Sequence, residues 1–202
     1  MRRNFLFLLY LSICINAGAQ VNGEAETPTI NMDSLFKAKE RESIGKSFPD
    51  FNAKFDGRNI TKDSLKGKVV FINFWFEACP PCIAELSALN ELQKKFSRNN
   101  NFEFLSFTYE KPEKLKFLKK KYHIKYKVAS VGSQECYRLN QNNGFPTSII
   151  LNRNGIITDL FTGGDTDNVK ARNFIISTVY ESIEKTCCSN GTMMQRQKKI
   201  KK

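Results

Sequence analysis

The chain has 202 residues, 41% of them hydrophobic and 26% charged, which suits one domain with an ordinary hydrophobic core. The formal net charge is +12, but the lysines and arginines are spread along the chain and no nucleic-acid-binding motif accompanies them, so we expect no nucleic-acid partner. The basic C-terminal tail leaves open a weak contact with an acidic membrane surface.

The N-terminus has the pattern of an export signal. Two arginines precede an apolar run over residues 5–15, and small residues follow at positions 17–19. A basic start, a short apolar stretch and a small-residue exit are typical of a secretory signal peptide. We therefore expect residues 1–19 to be removed and the mature protein to lie in the periplasm or cell envelope. Cys14 loosely resembles a lipobox cysteine, but Ile13 before it is not small, so lipid anchoring is the less favoured alternative.

The remaining chain divides into a tether, a domain and a tail. Residues 20–43 are polar and predict a tether that ends in a short helix. Residues 44–186 predict the domain, and residues 187–202 a basic, disordered tail. The hydrophobic pattern of the domain predicts, in chain order, a hairpin over 48–60, a buried strand over 69–76, a helix after residue 82, a strand over 102–107 and a helix from residue 112. It then predicts a weak strand over 127–131, a short helix over 135–140, strands over 147–151 and 156–161, and a helix over 166–185. This order predicts an α/β fold with a central mixed sheet flanked by helices and an N-terminal β-hairpin extension.

Two of the six cysteines form a Cys-x-x-Cys motif between a buried strand and an amphipathic helix. This placement puts Cys79 at the helix N-terminus, where the helix dipole and unpaired amides favour its thiolate and where we expect its sulfur to be exposed. Cys79 is the predicted nucleophile toward a disulfide, and Cys82 the residue that resolves the mixed disulfide. A zinc site and a static disulfide are the alternatives. For zinc, the chain offers one histidine and no second Cys-x-x-Cys motif.

The sequence around this motif resembles a known family. The stretches GKVVFINFW (67–75) and CPPCIAEL (79–86) are similar to the TlpA/ResA branch of the thioredoxin superfamily, and the similarity extends over residues 44–185. Proteins of this branch are extracytoplasmic thiol–disulfide oxidoreductases with a thioredoxin-like fold. The resemblance implies a redox-active disulfide between Cys79 and Cys82, with no other cofactor and no metal.

The resemblance also assigns roles to residues outside the motif. Pro146 matches the cis-proline that faces the cysteine pair, while Phe145 and Trp75 belong to the expected substrate-binding surface. Asn73 occupies the position where cytosolic thioredoxins carry a buried Asp. Glu85 matches an acidic residue of this branch and is the candidate proton acceptor for the second cysteine. Glu77 is a less favoured candidate for the same role.

These assignments imply reduction of disulfides in exported proteins, apocytochrome c in cytochrome c biogenesis among them, with electrons from a membrane donor. Pro80 and Pro81 have no amide N–H, which predicts a moderately stabilised Cys79 thiolate and hence a reductant. Two alternatives stay open: a peroxiredoxin-like thiol peroxidase, and a copper-delivery or copper-binding module of the same fold. Cys136 and the Cys187-Cys188 pair receive no role, although a bond between them is left open.

Overall fold

The computed structural model describes residues 31–188, and its first two strands form a sheet of their own. Strands β1 (Asn52–Phe55) and β2 (Arg58–Thr61) pair antiparallel. Asp56 and Gly57 connect them with φ of 45° and 89°, the left-handed backbone that a two-residue hairpin turn needs. This is the predicted N-terminal hairpin.

A second, five-stranded sheet forms the centre of the fold. It consists of β3 (Val69–Trp75), β4 (Phe102–Thr108), β5 (Lys127–Ser130), β6 (Thr147–Leu151) and β7 (Ile157–Thr162), in the spatial order β5-β4-β3-β6-β7. The β3–β4 and β4–β5 pairs are parallel, and the β3–β6 and β6–β7 pairs are antiparallel. All seven residues of β3 are buried, as its nearly continuous apolar sequence predicts for a central strand. The predicted mixed sheet is confirmed.

The first helix of the described chain, α1 (Met32–Ser43), precedes the hairpin and lies where the sequence predicted the helical end of the tether. It packs against the edge strand β7, where Glu40 Oε1 accepts a hydrogen bond of 2.7 Å from Thr162 N. The packed part of the chain thus extends N-terminal of residue 44, the predicted start of the domain. No local pattern could indicate this contact, because it joins segments more than 100 residues apart.

Four more helices follow the order of the sequence pattern. They are α2 (Pro80–Phe96), α3 (Pro112–Lys121), α4 (Ser133–Leu139) and α5 (Asn168–Phe174), and α5 continues through a π-helical turn (Ile175–Val179) into helical residues up to 188. Residues of α2 and of the α5 segment share one core cluster with one face of β3. Residues of the hairpin and of α4 share a second cluster with the other face of β3. Helices and hairpin therefore bury both faces of the sheet.

The predicted signal peptide with Cys14, the first part of the tether and most of the tail lie outside the described residues. Within residues 31–188, no helix is both long and apolar enough to cross a membrane.

Candidate active site

The Cys-x-x-Cys turn lies where β3 leads into α2. Cys79 is the N-cap of α2 in an extended conformation, and its Sγ accepts a hydrogen bond of 3.3 Å from Cys82 N. Pro80 takes the first helical position, where a missing N–H removes no helical hydrogen bond. Cys79 and Cys82 form a disulfide with an S–S distance of 2.02 Å and a Cα–Cα distance of 5.2 Å. The turn therefore presents a dithiol–disulfide couple at a helix N-terminus.

The expectation that the first sulfur is exposed was wrong for this oxidised state, since Cys79 is 4% exposed and Cys82 1%. Both cysteines pack in the core cluster that β3 and α2 share. A loop that sequence analysis identified only as a chain break lies against the neighbouring prolines. A methyl group added at Gly164 would lie 3.0 Å from Pro146 Cγ and 3.4 Å from Pro81 Cβ. The β7–α5 loop thus packs closely against the prolines beside the disulfide, and its glycine permits that approach.

Pro146 lies beside the cysteine turn because of strand register. Thr147 of β6 is paired with Phe74 of β3, so the residue before Thr147 lies at the end of β3 that leads to the cysteines. The Phe145–Pro146 peptide bond is cis, and Pro146 is buried. The carbonyl oxygen of Pro146 accepts a hydrogen bond of 2.9 Å from Gly163 N, which ties this loop to the end of β7.

Phe145 belongs to an aromatic cluster that sequence analysis did not identify. Its half-buried ring lies edge-on to Phe76, Tyr109 and Tyr137, with centroid distances of 5.3, 5.6 and 5.4 Å. Tyr109 stacks on Phe76 at 5.1 Å, and Tyr137 is 43% exposed. Because the four rings come from four separate segments, no local sequence pattern could reveal the cluster. It forms an apolar surface adjoining the cis-proline.

The structure does not place Trp75 on that surface. Trp75 is 1% exposed and packs in the core cluster that includes Cys79 and Cys82. As a residue of the central strand it is covered on both sides, so the expectation that it binds substrate directly was wrong. It supports the cysteine turn from within the core.

Glu85 is buried in the first turns of α2, three residues after Cys82. The residue is only 2% exposed, and burial raises its pKa to about 8. Glu85 Oε2 has no hydrogen-bond partner among the described residues, while Oε1 would be 2.8 Å from a methyl group at Gly164. The carboxyl group therefore lies against the same loop as Pro146. Near neutral pH it can hold or accept a proton, as a general acid–base group must.

A cavity of about 370 Å³ adjoins this carboxyl group. Its walls come from α1, α2, the end of β7 and α5, and they include Glu40, Glu85, Phe161, Gly164 and Phe174. The cavity gives Glu85 an opening toward solvent although the residue itself is buried.

Glu77 has the opposite environment. Its carboxylate forms ion pairs with Lys114 Nζ at 2.6 Å and Lys121 Nζ at 2.8 Å, and these contacts lower its pKa to about 2. A carboxylate that stays ionised at neutral pH is a poor proton acceptor. Glu77 instead connects the segment before Cys79 to helix α3.

Asn73 is buried on β3, and its Nδ2 donates a hydrogen bond of 3.4 Å to Ser148 Oγ. An amide cannot exchange a proton near neutral pH. Of the two candidate proton acceptors, Glu77 and Glu85, only Glu85 thus has a suitable pKa.

The remaining described cysteines are free thiols, so the bond left open between Cys136 and the Cys187-Cys188 pair is not formed. Cys136 is buried in α4, and burial raises its pKa to about 12. Cys187 is half-buried and Cys188 exposed. Within residues 31–188, no group of three or more His, Cys, Asp or Glu side chains is placed to hold a metal ion.

Comparison with known proteins agrees with this geometry. A family model described as Redoxin matches residues 43–175. A thiol-disulfide oxidoreductase ResA of Bacillus cereus is 31% identical over 134 residues, which cover 65% of this chain and 77% of that protein.

Two solved structures show the same fold at low sequence identity. A thiol:disulfide interchange protein of the thioredoxin family from Chlorobium tepidum TLS has a TM-score of 0.53 at 23% identity, over 67% of this chain and 97% of its own. The Xanthomonas campestris bacterioferritin comigratory protein, described for alkyl peroxide reduction, has a TM-score of 0.55 at 14% identity, over 66% and 90% of the two chains. The thioredoxin-like fold is therefore confirmed, and among the chemistries that share it the match to ResA favours disulfide exchange. The chain belongs to the redoxin family and is a thiol–disulfide oxidoreductase related to ResA.

Proposed function

We propose that this protein acts outside the cytoplasm and reduces disulfides in exported client proteins through the Cys79–Cys82 couple. The observation that carries the proposal is the position of this couple, at the N-terminus of α2 and beside cis-Pro146. The N-terminal signal pattern supports the location.

The chemistry begins with the reduced protein. The Cys79 thiolate attacks one sulfur of a client disulfide, a mixed disulfide forms, and the other client sulfur leaves as a thiolate. Glu85 accepts the proton of the Cys82 thiol. The Cys82 thiolate then attacks Cys79 Sγ, which releases the second client sulfur and closes the Cys79–Cys82 disulfide. Two electrons pass to the client, and a membrane-bound dithiol donor restores the reduced protein.

The same turn supports reduction over oxidation. Of the amides in the first turn of α2, Cys82 N donates to Cys79 Sγ, whereas Pro80 and Pro81 have no N–H to donate. Fewer donors stabilise the thiolate less, and a less stabilised thiolate lowers the reduction potential of the couple.

The client binds at the loop and cluster beside the disulfide. The aromatic cluster around Phe145 offers apolar area next to the cis-proline loop. An extended client segment with an apolar residue near its cysteine suits this surface. Apocytochrome c, in cytochrome c biogenesis, is the client class that the family resemblance indicates.

The first test is the redox equilibrium of the mature chain from Gln20 onward. The protein is equilibrated in graded glutathione or dithiothreitol buffers, thiols are trapped, and Cys79→Ser serves as the control. We expect a potential near or below that of thioredoxin, about −270 mV. A value toward about −120 mV would make the protein a disulfide donor instead.

Two further measurements complete this test. Hydroperoxide consumption faster than disulfide exchange would favour the peroxidase alternative. Fusion of residues 1–19 to a reporter that is active only outside the cytoplasm tests the location, and an inactive fusion would refute export.

A further inference from the structure

We propose that helix α1 braces the cis-proline loop, and that Lys39 and Glu40 are positioning residues for client binding. The inference rests on the proposed function, since it assumes that clients bind beside Pro146. It concerns residues that precede the matched family region, which starts at residue 43.

The first contact of α1 is with the segment that leads into the loop. Lys39 Nζ donates a hydrogen bond to the carbonyl oxygen of Asn142. Gln141 and Asn142 have φ of 62° and 54°, a left-handed conformation that non-glycine residues seldom adopt twice in succession. A segment held in this conformation needs contacts from its surroundings, and Lys39 supplies one of them.

The same segment is also held by its own side chains. Asn140 Nδ2 donates to the carbonyl oxygen of Asn143 at 2.9 Å, and Asn143 Nδ2 donates to that of Asn140 at 2.8 Å. These two bonds fix the ends of the turn. The carbonyl of Asn142, between them, is the one that Lys39 meets from α1.

A second contact is apolar and lies nearer to Pro146. A methyl group added at Gly144 would be 3.9 Å from the ring of Phe36, so this ring is close to the backbone of Gly144. Gly144 is two residues before Pro146 in the chain. The helix therefore reaches the loop through both a charged and an apolar side chain.

The third contact is with edge strand β7, which is hydrogen-bonded to the cis-proline loop. Glu40 Oε1 accepts the hydrogen bond of Thr162 N at the end of edge strand β7. The next amide, Gly163 N, donates to the carbonyl oxygen of Pro146. Without Glu40, the amide of Thr162 would need water or another acceptor in its place. One helix thus contacts both the segment that leads into the cis-proline and the strand end that is hydrogen-bonded to it.

These contacts predict an effect on client capture and none on the redox couple. The loop partners of Lys39 and Glu40 are backbone groups, and the neighbour of the Phe36 ring is the backbone of Gly144. Loss of the brace leaves the loop with more conformations, so each client must order more of it on binding. The Michaelis constant for a protein client should therefore rise, while the potential stays unchanged.

The experiment uses the full mature chain with Lys39→Ala, Glu40→Ala and the double variant. Lys37→Ala is the matched control, since Lys37 is exposed on the same helix and its side chain forms no hydrogen bond or ion pair with residues 31–188. Reduction of insulin disulfides gives kcat and KM, and exchange with dithiothreitol and the equilibrium potential report on the couple. We expect KM for insulin to rise at least about threefold in each single variant. In Lys39→Ala, whose side chain does not line the cavity beside Glu85, the equilibrium constant and the rate of exchange with dithiothreitol should stay within about twofold of the wild-type values.

Conservative variants and hydrogen exchange separate positioning from general stability. Lys39→Arg and Glu40→Gln keep the donor and the acceptor and should restore KM to within about twofold. In Glu40→Ala, the amides of Thr162 and Gly163 should exchange at least about tenfold faster, with those of β3 unchanged.

An unchanged KM, or a potential that shifts together with KM in Lys39→Ala, would overturn the positioning role. If wild-type protein does not reduce insulin, the proposed function fails by itself. Unchanged amide hydrogen exchange at Thr162 and Gly163 in Glu40→Ala would refute the bracing role of α1 independently of the insulin result.

Discussion

Removal of the Glu85 carboxyl group should change how the stability of the oxidised protein depends on pH. In the folded protein burial raises the pKa of Glu85 to about 8, against an ordinary value of 4.5 in the unfolded chain. Between these two values the native state holds the Glu85 proton and the unfolded state does not. The free energy of unfolding therefore falls as pH rises, and this stability is fully present only below pH 4.5.

The size of the effect follows from the same two values. Each pH unit between them lowers the free energy of unfolding by about 1.4 kcal/mol, so Glu85 alone removes about 4 kcal/mol between about pH 5 and about pH 8. Glu85→Gln keeps the shape and the polarity of the side chain but cannot ionise. Relative to wild type, the variant should thus gain stability steadily with pH over this range.

The assay is urea unfolding of both oxidised proteins at several pH values from about 5 to about 8. Glu91→Gln is the matched control: Glu91 is on the same helix, 40% exposed at its side chain, and its pKa is lowered mainly by its hydrogen bond with Arg172. The control should follow the pH dependence of wild type. If the free energies of unfolding of Glu85→Gln and wild type change with pH in parallel over this range, the Glu85 pKa is not raised. Its proposed role as proton acceptor near neutral pH then loses its basis.

Two further predictions test packing around the site. Gly164→Ala places a methyl group 2.8 Å from the buried carboxyl of Glu85 and should lower the free energy of unfolding, measured in urea, by about 1–3 kcal/mol. Gly132→Ala is the control, because its methyl group would have no neighbour within 4 Å and should cause no such steric loss. Equal losses in the two variants would refute the close packing at Gly164. In iodoacetamide labelling followed by mass spectrometry, exposed Cys188 should react in the native protein and buried Cys136 only after denaturation; rapid native labelling of Cys136 would contradict its burial and raised pKa.

Local sequence patterns predicted the elements that position the site. The apolar run of residues 69–76 predicted β3, and the apolar spacing after Cys82 predicted α2. The turn at Asp56-Gly57 predicted the hairpin. Each of these signals depends only on residues that are neighbours in the chain, so it can be read from a single sequence.

Contacts between distant segments were beyond such patterns. The β7–α5 loop approaches Pro81 and Pro146 from a distant part of the chain, and the packing of α1 depends on β7, more than 100 residues away. The family resemblance placed Trp75 at the substrate surface. In the fold, strand β3 carries it into the core, where it is 1% exposed.

Glu77 and Glu85 show most directly what the fold adds to the sequence. Both are glutamates within three residues of a cysteine of the pair, and both were candidate proton acceptors on sequence grounds. Two lysines hold Glu77 ionised with a pKa of about 2, while burial raises that of Glu85 to about 8. Of the two, Glu85 alone changes its protonation state near neutral pH. The difference comes from helix α3, which brings its lysines to Glu77, and from the burial of Glu85 beside the loop at Gly164. Identical side chains close to one cysteine pair thus have opposite pKa shifts, because elements remote in sequence set the charge around Glu77 and the burial of Glu85.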